Sequence, residues 1–150
     1  MASSDPSART MYMDQVPGVA VVIVHTDEPP SDEDWDAHLE LLVSLAGAVD
    51  RVLVYTGGAG PSVAQRRRTN EAFVRAGGTG VSAILTPSRM VRGIVKAFSW
   101  AMQGQMRAFA PSEFRRAVDF LGVPADDIAP VRALLDALLE RAGQAPLPPE

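Results

Sequence analysis

Two hydrophobic periods alternate along the chain: short β-branched runs that are apolar at nearly every position, and longer stretches in which apolar residues recur every three or four positions. RTMYM, Arg9 to Met13, reads as a strand with one wet face, and VAVVIVH, Val19 to His25, as a strand covered on both faces. Between them DQVPG predicts a turn, because Pro17 presets φ and Gly18 tolerates a positive one. The two strands are expected to pair as a hairpin. Ser31 then caps a helix whose first turn, Asp32, Glu33 and Asp34, suits the positive end of its dipole. Trp35, Leu39, Leu42, Val43 and Ala46 form its apolar stripe, and Gly47 lies near its end.

The pattern continues with a strand over Arg51–Tyr55, a glycine-rich turn, and a helix stopped near Gly77 and Gly78. A strand over Val81–Leu85 precedes a helix from about Ser88 to Met102. MRAF, Met106 to Phe109, is a short fifth strand. Pro111 opens a helix with Phe114, Ala117, Val118 and Leu121 on its buried side, ended by Gly122 and Pro124. A last helix, about Asp127 to Ala142, carries Ile128, Val131, Leu134, Leu135, Leu138 and Leu139 on one wide face. Packing on its own sheet is the default cover for that face, and a dimer contact the alternative. The order β-β-α-β-α-β-α-β-α-α predicts an α/β fold: a mixed, mostly parallel five-stranded sheet opened by a hairpin and flanked by helices. One domain over residues 9–142 is expected, between a loose tail at 1–8 and a proline-rich tail at 143–150.

Composition narrows the function. The net charge of −4 over 150 residues argues against non-specific nucleic-acid binding, because a duplex repels an acidic surface. There is no cysteine, so disulfides, thiolate nucleophiles and cysteine–zinc sites are excluded. The longest early apolar run, VAVVIV, is too short to span a bilayer, and MASSDPSART lacks the apolar region of a secretory signal. A cytoplasmic protein without an integral membrane segment is expected. His25 and His38 stand in no metal-binding pattern, and SDEDWD reads as an acidic first helical turn. No catalytic motif is visible and no cofactor is expected.

The turn after the third strand, VLVYTGGAGPSVAQRRRTN, carries the most chemistry. Thr56, Gly57, Gly58, Gly60 and Ser62 stand where backbone N–H groups and a helix N-terminus make an anion site, with Arg66 and Arg67 one turn on. Neither the Walker pattern nor G-x-G-x-x-G is present. Counted at 100° per residue from Val63, Val74 and Gly77 share an arc with Arg66, Arg67 and Asn70, so polar residues interrupt the expected core stripe. Either this helix begins later, or its start opens onto a pocket. On the helix from Ser88, Trp100 falls opposite the apolar arc, beside Arg89, Arg92 and Lys96, and is a candidate partner anchor.

Element order and the stretches VDRVLVYTGGAG, VSAILTPSRMVRGIVKAF and MRAFAPSEFRRAVDFLGV resemble the SpoIIAA-like fold of STAS domains, related to the lipid-binding Sec14 domains, over about Arg9 to Val123. The resemblance implies a non-enzymatic regulatory domain, similar to anti-sigma-factor antagonists, that binds another protein and is switched by phosphorylation at a hydroxyl in this turn. Ser62 is nearest that position, although the family usually has Asp-Ser followed by Gly and this chain has Pro61-Ser62-Val63. Thr56 is a further hydroxyl there. A pocket for a nucleotide, phosphate or lipid head group at the same turn is the alternative.

Overall fold

A computed structural model describes residues 9–58, 60–77, 80–101 and 105–149, with residues 97–101 described by backbone alone. Its elements are β1 (Met11–Val16), β2 (Ala20–His25), α1 (Asp32–Leu45), β3 (Arg51–Tyr55), α2 (Val63–Arg75), β4 (Val81–Leu85), α3 (Arg89–Ala101), β5 (Met106–Phe109), α4 (Phe114–Leu121) and α5 (Ile128–Arg141). Single 3-10 turns, Pro111–Glu113 and Ala125–Asp127, lead into the last two helices. The five strands lie in sequence order. β1 pairs antiparallel with β2, from Met11 opposite His25 to Val16 opposite Ala20. The other neighbours are parallel. The mixed sheet opened by a hairpin is therefore as expected.

The first strand is longer than its pattern suggested. Asp14, Gln15 and Val16, read as part of the turn, complete β1, and the turn shrinks to Pro17–Val19. β1 is an edge strand, so the polar Asp14 points to water without breaking the ladder.

Strand order dictates where the helices go. Parallel crossovers are right-handed, so helices joining strands that advance in one direction share one face. That face takes α1, α2 and α3. The opposite face is left to α4, which packs on β3, β4 and β5, and to α5, which packs on β1 and β2. Val22, Val24, Leu53, Leu85 and Phe109 meet Phe114, Val118, Leu135, Leu138 and Leu139 there in the larger core. The wide apolar face of α5 is thus covered by the chain's own sheet. Ile128 and Leu134 at its margin are half-buried. In the proline-rich tail Leu147 is buried in this core, and Gln144 Nε2 donates to Asp27 Oδ1 at 3.1 Å.

Polar ties fix the frame. Ser31 Oγ accepts from Asp34 N at 3.1 Å, and Asp34 Oδ2 accepts from Thr10 N and Oγ1 at 2.7 and 2.8 Å, joining the starts of α1 and β1. Arg51 donates to Leu121 O and Val19 O at 3.0 and 3.2 Å, joining the start of β3 to the end of α4. Gly122 ends α4 at φ 73°, a left-handed value suited to glycine.

Candidate functional site

The two faces of the sheet are packed unequally. On the first, Met11, Val21, Ile23 and Val52 meet Trp35 and Leu39 of α1 and Ala72 of α2 in a smaller core. α2 leans on α1, and α3 packs chiefly on β5. α2 and its C-cap present Arg66, Thr69, Ala72, Phe73 and Ala76 to the space above β3 and β4, a set with one large apolar side chain, which leaves that space unfilled. The result is a chamber of about 290 Å³ between Val52, Val54 and Ile84 of the sheet and the inner sides of α1, α2 and α3. Its lining is almost wholly apolar.

Polar groups gather where the strands end. His25 at the end of β2, Thr56 just after β3, and His38, Arg66 and Thr69 from the helices all border the chamber. The rings of His25 and His38 lie 6.2 and 4.4 Å from that of Trp35. Trp35 Nε1 donates to Gln65 O and Thr69 Oγ1 at 3.1 and 3.0 Å, fastening α1 to α2. His38 Nδ1 lies 2.5 Å from the Trp35 carbonyl, so that nitrogen carries the proton. His25 Nδ1 is buried without a hydrogen-bond partner. Burial, and then the neighbouring His38, lowers the His25 pKa to about 4. Burial also lowers His38 to about 4, against the opposing pull of the Trp35 carbonyl and Asp36. Both imidazoles are neutral at physiological pH.

The glycine-rich corner lies at the sheet's rim. Gly57, Gly58 and Gly60 are exposed while Thr56 is buried, and Ala59 lies outside the described residues. Gly58 holds φ 141°, which side chains rarely allow. α2 begins at Val63, and the mixed arc is largely its exposed side, with Arg66 alone of that arc on the chamber wall. Val63 and Val74, expected to face the core, are exposed at 63 and 76 %, because the buried line runs through Gln65 and Ala72 instead. Ser62 is the N-cap. Its Oγ accepts from Gln65 N at 3.1 Å, and Gln65 Oε1 accepts from Ser62 N at 2.9 Å. This capping box takes two of the donors an anion would use. Gln65 Nε2 also donates to Pro30 O and Asp32 Oδ1, both at 2.9 Å.

The three arginines part company here. Arg68 bridges Asp32 and Asp36 at 3.0 and 2.8 Å. Gln65 first, then Arg68, holds the Asp32 carboxyl below its usual range. Arg67 is exposed. Arg66 is half-buried on the chamber wall, and its Nη1 donates to Pro61 O at 3.2 Å. Of the α3 candidates, Arg89 and Lys96 are exposed, and Arg92 donates to Thr86 O at 2.8 Å. The side chain of Trp100 lies outside the described residues. Met90 and Ile94 line the chamber yet are exposed at 74 and 49 %. Among the described residues no group of His, Asp and Glu is arranged to hold a metal, and no helix is long and apolar enough to cross a membrane.

The residue patterns gave no sign of the His25–Trp35–His38 cluster. The one sequence signal beside the chamber was Arg66, in the polar arc of α2.

No family model matches the chain, and no curated protein does. A solved structure does: an uncharacterized DUF3478-family protein from Shewanella loihica PV-4, described as having a SpoIIAA-like fold, is similar at 16 % identity with a TM-score of 0.56, over 74 % of this chain and 91 % of that one. With its mixed sheet and sequential strand order, the chain has the SpoIIAA-like fold.

Proposed function

We propose that the chain is a binding domain and not an enzyme, and that its site is the apolar chamber between the sheet and α1, α2 and α3, bordered by Thr56, Gly58, Gly60 and Arg66. The observation that carries this reading is an apolar chamber of about 290 Å³ on one face of the sheet, with Arg66 on its wall. That volume is near the lower end for small-molecule pockets. At ~30 Å³ per atom, the share of a water molecule in the liquid, it suits about ten non-hydrogen atoms. Binding is favoured over catalysis because, among the described residues, neither imidazole is hydrogen-bonded to a hydroxyl it could activate.

The test fills the chamber. Ile84 projects into it from β4 and is only half-buried. A library of small amphiphiles and aromatics is expected to contain ligands that raise the melting temperature of the native chain. A ligand at a hundred times its Kd adds about 2.7 kcal/mol. Ile84→Trp is expected to melt no lower than the native chain and to lose the ligand-induced rise. A library without effect on the native chain would defeat the reading.

A second reading, contact with a regulatory protein, is supported by the exposed apolar side chains Val63, Val74, Met90 and Ile94 on α2 and α3. Phosphorylation of Ser62 belongs to it, since the exposed N-cap hydroxyl stands at a helix N-terminus beside Arg66. Here Val63→Ser with Met90→Ser is expected to lose a co-purifying partner that Ile84→Trp retains. Equal retention by both proteins would remove this reading.

A further inference from the structure

We propose that the occupant of the chamber is a short amphiphile with a carboxylate head, the head at Arg66 and Thr56 and the apolar chain directed toward Val49 and Ala76. The inference rests on the chamber being the binding site.

Charge sets the direction. Among the described lining residues Arg66 is the one cation, and Asp50, at the opposite ends of the strands, the one carboxylate. Asp50 accepts a hydrogen bond from Gly47 N at 2.9 Å. An anionic head at that end would meet like charge. At the other end the Arg66 guanidinium has five N–H donors, and among the described residues its one side-chain hydrogen bond goes to Pro61 O. No described carboxylate bridges Arg66, whereas its neighbour Arg68 has two. A half-buried guanidinium free to fork suits a carboxylate, which it binds in a planar, two-point arrangement.

The same geometry disfavours a phosphate. The capping box of Ser62 and Gln65 occupies donors at the start of α2 that a phosphate would need. His25 and His38 are buried and add no positive charge, so a single cation faces the head.

Titration calorimetry of the intact chain with octanoate, octan-1-ol and octyl phosphate, each below its micelle concentration, tests the inference. Octanoate is expected to bind at least tenfold more tightly than either of the others. In Arg66→Gln the preference of octanoate over octan-1-ol is expected to fall to nearly one. Arg66→Lys, which keeps the charge and loses the fork, is expected to fall between and serves if the glutamine variant folds poorly. Equal binding of acid and alcohol, tighter binding of the phosphate, or a preference that survives Arg66→Gln would overturn the head-group assignment and leave the chamber reading standing. Binding of none of the three, with a library hit elsewhere, would overturn the assignment alone. Binding of none with no hit would overturn both.

Discussion

His25 and His38 flank Trp35 as buried, neutral rings with pKa values near 4. The unfolded chain binds a proton at each near pH 6.5, while the folded chain resists until about pH 4. Between those values the unfolded state holds more protons, so stability falls as pH falls through the window, by up to about 1.4 kcal/mol per pH unit for each histidine. Urea titrations at pH 7 and pH 5 are expected to show this loss; equal midpoints would contradict the burial of both rings. His25→Leu removes an unsatisfied polar group and is expected to match or exceed native stability at pH 7, with a shallower decline in acid.

At the scale of elements, α2 is held from its N-terminal end. Gln65 closes the capping box and reaches Pro30 and Asp32. Gln65→Ala is expected to lower stability by about 1–3 kcal/mol, measured by urea unfolding, because it leaves buried groups without partners. A value near zero would mean that α2 is held in some other way. What the sequence revealed divides along the same line. The Ser31 cap with its acidic turn and the β-branched runs at Arg51–Tyr55 and Val81–Leu85 are local signals, and they gave elements in the right places. Val63 and Val74 misled, because hydrophobicity suggests burial but only packing decides which side of α2 meets the sheet. The chamber and its histidines were hidden because they depend on what α2 fails to fill, and no residue pattern states that. Leu147 was hidden because the prolines around it mask a single buried side chain.

Across the molecule, the two faces respond differently to truncation. Leu135→Ala, on the filled side, is expected to lower stability by about 2–5 kcal/mol. Ile84→Ala, on the chamber side, removes carbons from a half-buried site already next to a void, and about 1 kcal/mol is expected. Similar losses at both positions would contradict the unequal packing. Sequential strand order has a consequence for biogenesis. Each strand can join its predecessor as the polypeptide leaves the ribosome, but β1 and β2 wait for α5, the last helix, before their outer surface is sealed. A chain truncated before Ile128 would therefore leave Val22 and Val24 uncovered, a surface that chaperones bind.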